Sequence, residues 1–374
     1  MEKSRLAVVN ALPAPTYRFL KVNESGLSIP ESVTTYPDTW DQAALPQGID
    51  LRRIARFDDL PEACRLIETG MGSGIDRALS EQEISCVMLT AAKGTRADEP
   101  IVLPVTAACG STTIAEMVIC AEENSEITVI LDMTGDDGGC AAVKSFFGLS
   151  TRIRAEKNAQ VRLIHVQRFG ASITSFDDIG AWCDERASFA LTTLLLGSRR
   201  AARGYEGSFI GARATLAGEE ASFTGRTGYY CAGQMSLDMN FVADHREKKT
   251  NSEMIFRGVL DDHAAKTWRG TLDFKSGAAG SVGDEQEDTL MLSPDIRNSS
   301  VPVILCGEED VDGRHGATIG QISEEILFYM RSRGYTEEEA RRLIVQARLK
   351  SIAREIPENR LRWEVEQWIE KEIG

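Results

Sequence analysis

The sequence lacks the hydrophobic segments that mark membrane and secreted proteins. Its most apolar stretch, ASFALTTLLLG over 187–197, is too short to span a bilayer and is flanked by arginines. Its first residues, MEKSRLAVVNALPAP, carry charges and prolines where a secretion signal needs an apolar run. We therefore expect a soluble protein of the cytoplasm with no membrane partner.

An excess of basic charge is also missing. The chain has 42 Lys and Arg against 57 Asp and Glu, which gives a net charge of −15 over 374 residues. Proteins that wrap nucleic acid or lie on anionic lipid need clustered Lys and Arg. Neither nucleic acid nor a lipid surface is therefore an expected partner.

The sequence contains cysteines, but no two of them are closely spaced. The chain has eight, and no two of them form a C-x-x-C motif. Paired spacing is the mark of a zinc module, and a disulfide framework is unexpected in a long chain without a secretion signal. We expect most of these thiols inside the protein as small hydrophobic side chains.

Several signatures of enzymes are absent. The sequence contains no G-x-x-x-x-G-K-[ST] loop, no H-E-x-x-H, no G-x-S-x-G and no strand-bound G-x-G-x-x-G. The chain is therefore not expected to hydrolyse nucleotides by the P-loop route. The tetrapeptide GRHG at 313–316 matches the G-x-x-G loop of a KH domain, but the acidic, β-rich context disfavours that fold.

Short strand-like runs dominate the sequence from about residue 83. They are rich in β-branched and aromatic residues and are separated by Gly, Asp, Asn and Ser. Few helical patterns lie between them, which disfavours a βαβ sheet. The motif R-G-x-L occurs at 257–260 and again at 269–272, as expected for stacked coils of a solenoid. A β-sandwich would give the same local pattern.

The two ends of the chain differ from this centre. Residues 1–80 are mixed, with proline-punctuated and short helical segments. After residue 320 helical patterns follow, including a capping box formed by Thr336 and Glu339 and a C′ glycine at Gly334. The predicted organisation is an N-terminal mixed and helical segment over 1–80, a β-core over 81–320 and a C-terminal helical domain over 321–374.

Apolar stripes predict which faces of the last two helices are buried. The stripe of the first of these helices is predicted to be Ala340, Leu343, Ile344 and Ala347. The last helix starts at Pro357, and its stripe is predicted to be Leu361, Val365, Trp368 and Ile369.

One stretch of ten residues, VDGRHGATIG over 311–320, places a histidine among glycines. Glycines let the backbone turn sharply or approach a neighbour closely, so His315 has no apolar face to fill and is predicted to act as a ligand or at an interface. Cys306 lies nine residues earlier, with Glu308, Glu309 and Asp310 between them. Thiolate, imidazole and carboxylate together form a ligand set for iron or zinc. The alternative for Cys306 is a buried strand thiol.

The other three histidines are given structural interpretations. His165 reads as a strand residue on a half-buried face, His245 as a polar turn residue and His263 as a solvated turn residue.

From His245 to the helix at 337, the sequence resembles the SufB/SufD family of iron–sulfur cluster assembly proteins. The family pattern has a histidine followed by Asn-Ser, a glycine-bounded strand, Gln before a Leu-rich strand, a Pro-led strand, an acidic turn, H-G-A-T-x-G and L-F-Y-x-x-S-R-G. This chain shows the same features in the same order: His245, Asn251-Ser252, Gly270, Gln286, Pro302, EEDV, HGATIG and ILFYMRSRG. The segment LPAPTYRFLKVN at 12–23 also resembles SufD-like members.

The resemblance implies a right-handed parallel β-helix flanked by N-terminal and C-terminal helical segments. It implies that two such subunits pair end to end and that a transient iron–sulfur cluster forms at the pairing face. A SufC-like ABC-type ATPase would dock on the C-terminal helices, and a sulfur donor and apo-protein recipients would be further partners. The residues expected to contact the ATPase are Leu327, Phe328, Tyr329, Arg333, Gly334 and Leu343.

The resemblance also implies site residues. In SufD-type members the histidine of H-G-A-T contributes to the pairing face, and here this residue is His315. SufB-type members have a cysteine after the Gln and a glutamate after the histidine, whereas this chain has Glu287 and Gly316. Cys306 and Glu287 are therefore the candidate ligands that accompany His315.

Three alternatives stay open at this point. The chain also resembles the minimal versions of the SUF system, in which one scaffold protein serves both roles, and this favours a homodimer. A heterodimer with a second scaffold protein would give the same sequence features. A SufD-like partner that never ligates metal is another. A β-helix enzyme acting on polysaccharide would need paired carboxylates or a calcium site, and the adjacent acids Asp177-Asp178 and Asp261-Asp262 would point to opposite sides of a strand. The favoured prediction is a scaffold that is not an enzyme, with ATP hydrolysis in the partner.

Overall fold

Successive strands of the chain alternate between two sheets. The computed structural model describes residues 4–373 apart from 17, 32, 36–39, 41–42, 83, 85, 136–144, 170–172 and 198–204. The N-terminal elements in these ranges are β1 (Ser4–Val9), β2 (Ser25–Pro30), β3 (Thr34–Thr35), β4 (Ile49–Ile54), α1 (Glu62–Arg65) and α2 (Ser73–Ser80).

The central strands follow without an intervening α-helix in the described residues. They are β5 (Cys86–Ala91), β6 (Ile101–Ala107), β7 (Thr112–Ala121), β8 (Glu126–Gly135), β9 (Ser145–Ala155), β10 (Gln160–Arg168), β11 (Ile173–Cys183), β12 (Ser188–Leu196), β13 (Ser208–Leu216), β14 (Ser222–Cys231), β15 (Ser236–His245), β16 (Asn251–Leu260), β17 (Ala265–Phe274), β18 (Ser281–Met291), β19 (Arg297–Cys306) and β20 (Val311–Gly320). The C-terminal helices are α3 (Glu324–Ser332), α4 (Glu337–Ala353) and α5 (Asn359–Glu372).

The sheet order identifies a parallel β-solenoid. The odd-numbered strands β5 to β19 form one sheet, which we call the odd sheet, and the even-numbered strands β6 to β20 form the even sheet. Each strand from β7 to β18 pairs in parallel with strands two positions before and after it in the chain. A β-sandwich of hairpins would pair its strands antiparallel. The prediction of a mainly β fold of stacked parallel coils, with helical segments at both ends, is confirmed.

The turns between the sheets stack as regularly as the strands. Each of the five odd-to-even turns from β7–β8 to β15–β16 carries one left-handed residue, and the backbone N–H of that residue donates to a carbonyl in the corresponding turn of the next coil. Left-handed geometry is accessible to Asn at little cost, and the chain tolerates longer side chains where they stay in solvent. These residues are Asn124, Asn158, Arg186, Glu220 and Lys249.

The N-terminal segment covers the outer face of the odd sheet. Val9 and Leu27 of the β1–β2 hairpin and Ile75 of α2 are buried in one cluster with Ile114 of β7 and Phe176 of β11. Apolar side chains on the outside of a solenoid need such a cover, because water would otherwise meet a flat hydrophobic surface.

The C-terminal helices cover the outer face of the even sheet. Leu349 of α4 and Val365 of α5 are buried with Ile164, Leu194 and Val259 from the even strands β10, β12 and β16. The predicted stripe of α5 is confirmed: Leu361, Val365 and Ile369 are buried and Trp368 is partly buried. None of the helices in the described ranges is long and apolar enough to cross a membrane.

The predicted stripe of α4 is confirmed for Ala340 and in part for Ile344, and it is wrong for Leu343 and Ala347. Leu343 and Ala347 are exposed, and Ile344 is only partly buried. Two apolar stripes compete on this helix, and the side chains of Val345 and Leu349 fill the groove over the even sheet. The buried apolar residues of α4 are Ala340, Val345, Leu349, Ile352 and Ala353. The capping box of Thr336 and Glu339 is confirmed, and Gly334 has φ +98° at the C′ position.

The two ends of the solenoid differ. At the N-terminal end β4 pairs antiparallel with β5, and the Trp40 side chain packs into the interior with Nε1 donating to the Pro104 carbonyl 3.1 Å away. At the C-terminal end β19 and β20 each pair with one strand in the described chain, and many of their residues are exposed. The last coil is therefore open.

Most free cysteines lie inside, as predicted. Cys64, Cys86, Cys183 and Cys231 are buried, Cys120 is partly buried and Cys306 is exposed. Cys109 is disulfide-bonded.

His245 is a buried strand residue, so its interpretation as a polar turn residue is wrong. Its Nδ1 lies 2.8 Å from Thr250 Oγ1, its Nε2 lies 2.9 Å from Ser252 Oγ, and its ring stacks on Phe274. The polar run that follows in the sequence forms the turn, while the last residue of β15 itself points inward. Burial lowers the pKa of His245 to about 4. The structure agrees better with the interpretations of the other two histidines. His165 lies in a strand, although it is fully buried, and His263 is exposed in a turn.

Acid is expected to destabilise the fold through His245. In the unfolded chain this imidazole binds a proton near pH 6.5, whereas in the folded protein it does so near pH 4. The unfolded state therefore holds more protons in this window, and the free energy of unfolding falls by up to about 3 kcal/mol as the pH drops through it. Urea unfolding of the wild type and His245→Gln at pH 7 and pH 4 measures the effect. An equal loss in both proteins would contradict it.

Candidate functional site

His315 stands at the mouth of the solenoid interior. It lies in β20, and its register partner in β18 is Glu285. Residues in register on parallel strands point to the same side, so the whole ladder faces the interior. From the first coils outward this ladder reads Leu163, Leu191, Gly225, Met254, Glu285 and His315. The ladder changes from apolar to ionisable in its last two positions, and His315 is exposed because no further described strand covers it.

Glu285 is the ionisable residue that sequence reasoning missed. Its side chain is 0 % exposed, and neither carboxylate oxygen has a hydrogen-bond partner among the described residues. The carboxylate reaches across the interior to β17, where a Cβ added to Gly270 would lie 2.5 Å from Oε2. Burial, together with the nearby Glu287 and Asp284, raises the pKa of Glu285 to about 8. Leaving a buried carboxyl without a partner is costly, so its retention points to a ligand.

Glu287 lies on the next interior ladder and is already neutralised. Its side chain forms a fully buried ion pair with Lys266, and Oε1 also accepts from Thr289 Oγ1 at 3.1 Å. Lys266 Nζ lies 3.2 Å from Ser300 Oγ as well. Burial lowers the pKa of Lys266, while the Glu287 carboxylate opposes that shift. Of the two interior glutamates, Glu285 is the one that lacks a cationic partner.

Cys306 is not brought to His315 within one chain. It is the exposed last residue of β19, so its alternative interpretation as a buried thiol is wrong. Gly313 of β20 lies opposite Ile304 of β19 across the interior, since a Cβ added to Gly313 would lie 3.1 Å from Ile304 Cγ2. These two residues mark the level at which β19 and β20 face each other. Cys306 and His315 extend in opposite directions from that level, about 13 Å apart along the strands. Across the described ranges, no group of three or more His, Cys, Asp or Glu is arranged to hold a metal ion.

The residues predicted to contact an ATPase fall into an exposed and a buried set. Phe328 and Tyr329 of α3 are 74 % and 57 % exposed, and Leu343 of α4 is also exposed. The Arg333 guanidinium lies 5.1 Å from the centroid of the Tyr329 ring. Gly334 supplies the left-handed turn that joins the two helices, whereas Leu327 is buried in the helical core. The exposed apolar side chains share this helical hairpin with Ile326 and Tyr335.

Comparison with known proteins identifies the family. A family model described as SUF system FeS cluster assembly, SufBD core domain, matches residues 105–348. The chain belongs to the SufBD family. The matched residues of this SufBD protein include the last coil, α3 and most of α4, so His315 and the exposed helical hairpin lie in the family's core domain. The prediction of a SufB/SufD-type protein of iron–sulfur cluster assembly is confirmed.

Individual relatives agree with this assignment. The SufBD protein is 23 % identical over 261 residues to the iron–sulfur cluster assembly protein SufD of Bacillus subtilis, which covers 69 % of this chain and 57 % of the relative. It is 23 % identical over 266 residues to the SufD of Plasmodium berghei, covering 69 % of this chain and 19 % of that protein. A SufBD family protein of Mycobacterium bovis is 33 % identical over 113 residues, 30 % of this chain and 13 % of the relative. The chain thus matches little more than half the length of the first of these relatives and less of the others.

Proposed function

We propose that this SufBD protein is a scaffold on which iron and sulfide are assembled at the open last coil, where two scaffold chains meet. The observation that carries the proposal is Glu285, whose buried carboxyl group has no partner among the described residues and which is directly adjacent in register to the exposed His315. Iron and the nascent cluster are cargo here, held for transfer to recipient proteins.

The open coil supports pairing of two chains. Its strands β19 and β20 are ten residues long, and each leaves one edge unpaired in the described chain. Natural proteins cover such edges, because exposed N–H and C=O groups invite pairing with another strand. A second copy related by a twofold axis would cover both edges at once. Ile319, 43 % exposed near the end of β20, would become buried there.

Pairing would also complete a ligand set that one chain lacks. Neutral imidazole and thiolate bind iron, and a carboxylate can complete the shell. In this arrangement His315 and Glu285 would form one half-site, and the exposed Cys306 of the second chain would approach it from the rim. Glu287 would keep its ion pair with Lys266, and this buried pair would stabilise the solenoid interior next to the site. An incomplete half-site on each chain suits a cargo that has to leave again.

An ABC-type ATPase is proposed to grip the exposed helical hairpin of α3 and α4. Large exposed apolar side chains such as Phe328 and Tyr329 mark protein interaction sites when they cluster. α4 also packs on β12, β14 and β16 of the even sheet. Arg348 of α4 binds Asp288 of β18 with 2.7 Å between Nη1 and Oδ1. A movement of the hairpin would therefore act directly on the strand that carries Glu285.

Anaerobic reconstitution tests the proposal. The purified full chain is loaded with ferrous iron and sulfide, with and without the ATPase and Mg-ATP, and cluster absorption is recorded. We expect absorption that rises with the ATPase and is lost in His315→Ala. Absorption that is unchanged in both His315→Ala and Cys306→Ala would remove the proposed ligands.

Phe328→Glu is expected to weaken ATPase binding at least tenfold. A charge at the centre of an apolar contact removes a side chain of the hot-spot type and leaves an unpaired carboxylate at the interface. Isothermal titration with the SufC-like ATPase measures the affinity, and circular dichroism checks that the fold is retained. Leu66→Glu is the matched control, because Leu66 is 70 % exposed in the N-terminal segment. Equal affinities of the two variants would show that the ATPase binds elsewhere.

A second candidate function is a SufD-like partner that supports another scaffold subunit without binding iron. It is favoured by two relatives that each match 69 % of this chain and carry the name SufD, and by Glu287 at the position of the SufB-type cysteine. Co-purification from the native host separates the two. A second scaffold chain that retains all the iron would favour the supporting role.

A further inference from the structure

A cavity lies on the outer face of the odd sheet, at its N-terminal half. It measures about 800 Å³ and is bounded by β7 and β9 below and by the segment from Ala55 to Ile84 above. Five strand-to-strand steps in the odd sheet separate β9 from β19 of the open coil. The proposed iron site does not use this cavity.

Arginine dominates the lining of this cavity. Arg56, Arg65, Arg77 and Arg152 all line it, in a chain whose net charge is −15. Among the described residues, no carboxylate forms an ion pair with any of the first three. Arginines on an acidic protein are ordinarily paired on the surface, as the Arg341–Glu337 pair illustrates. Three unpaired guanidinium groups around one cavity indicate an anionic ligand.

Two of these arginines also have buried N–H groups without a partner. Arg152 is 4 % exposed, with its guanidinium 4.5 Å from the centroid of the Phe57 ring. Its terminal nitrogens bind Ser150 Oγ at 3.1 Å and Asp76 Oδ1, but its Nε has no partner in the described chain. Arg65 Nε is likewise buried and without a partner. Buried donors of this kind are ordinarily satisfied, so a ligand in the cavity would account for both.

The acidic residues of the cavity do not cancel its positive charge. Asp58, Asp76 and Glu116 line it as well. Asp76 is engaged by Arg152, and burial raises the pKa of Glu116 to about 7, so this carboxyl is about half protonated in neutral solution. Four guanidinium groups therefore face Asp58, Asp76 and a half-protonated Glu116, so the cavity keeps a net positive charge.

We propose that this arginine pocket binds a small phosphate-bearing molecule. The planar guanidinium groups of Arg65 and Arg77 match phosphate oxygens in bidentate geometry. The Phe57 ring and the apolar side chains of Leu79 and Ile84 provide a surface for the uncharged part of the ligand. The volume lies in the range of ordinary small-molecule sites.

Calorimetric titration with inorganic pyrophosphate tests the pocket on the full chain in 150 mM salt. We expect saturable binding that weakens at least tenfold in Arg65→Gln and in Arg77→Gln. Arg342→Gln, at an exposed residue of α4, is the matched control and should bind as the wild type does. A parallel titration with citrate separates phosphate from carboxylate recognition.

Three outcomes would overturn the proposal. They are the absence of saturable pyrophosphate binding to the wild type, equal weakening in Arg342→Gln, and citrate binding as tight as that of pyrophosphate. Both pocket variants change side chains at the cavity rim and keep the buried Arg152, and thermal unfolding of each verifies that the fold is retained.

Discussion

Replacing Lys266 with methionine is expected to lower the free energy of unfolding by about 3–5 kcal/mol. The change removes the cation of a fully buried ion pair and leaves Glu287 without it in the solenoid interior, one ladder from the equally buried Glu285. The double variant Lys266→Met with Glu287→Gln is expected to recover most of the loss, because the uncompensated charge is then gone. Urea unfolding followed by circular dichroism measures both.

An exposed ion pair provides the control for this prediction. Lys249 Nζ lies 2.8 Å from Glu219 Oε1, and both side chains are largely in solvent. Lys249→Met is therefore expected to leave the unfolding midpoint nearly unchanged. If Lys266→Met unfolds at the same urea concentration as Lys249→Met, Glu287 does not depend on Lys266 and is available as an iron ligand.

Ferrous iron is expected to bind at least tenfold more weakly to His315→Ala and to Glu285→Gln than to the wild type. Each change removes a donor from the proposed half-site, and even outer contacts of metal sites contribute factors of 10–100 in affinity. Glu285→Gln keeps the shape of the side chain and removes a buried carboxyl, so the fold should be retained. Anaerobic equilibrium dialysis of the full chain measures the affinity.

Two control variants distinguish this site from other histidines and carboxylates. His263→Ala removes an exposed turn histidine that lies in no proposed site and should leave iron binding unchanged. Glu287→Gln should weaken binding less than Glu285→Gln, since Glu287 is engaged by Lys266. Equal affinities of His315→Ala and His263→Ala would place the iron elsewhere on the protein.

The strands and the helical ends were predictable because local patterns encode them. Runs of β-branched residues between turn residues predict strands, and the capping box at Thr336 predicts the start of α4 correctly. The choice between a solenoid and a sandwich depends on which strands pair, and that is set by contacts about 30 residues apart in the chain. The buried face of α4 could not be chosen locally either, because two apolar stripes compete until the even sheet selects one.

Only those residues of the candidate site that belong to a recognisable sequence motif could be predicted. His315 follows from its glycine-rich stretch and from the family resemblance. Glu285 carries no such mark, since a glutamate in a strand reads as a solvent-facing residue. Its role emerges only from the coil register, which stacks it between Met254 and His315 on an interior ladder. Once the fold is known to be a solenoid, the alternation of β18 shows which of its residues face the interior. They include Ser281, Gly283, Glu285 and Glu287.

Native mass spectrometry of the full chain, loaded anaerobically with ferrous iron in the presence of the ATPase, tests most directly whether the open coil unites subunit pairing and iron binding. We predict that iron is retained in assemblies with two scaffold chains, and that Ile319→Arg at the rim reduces both the pairing and the retained iron. Iron retained at the same ratio per chain in species with a single scaffold chain would contradict the proposed function.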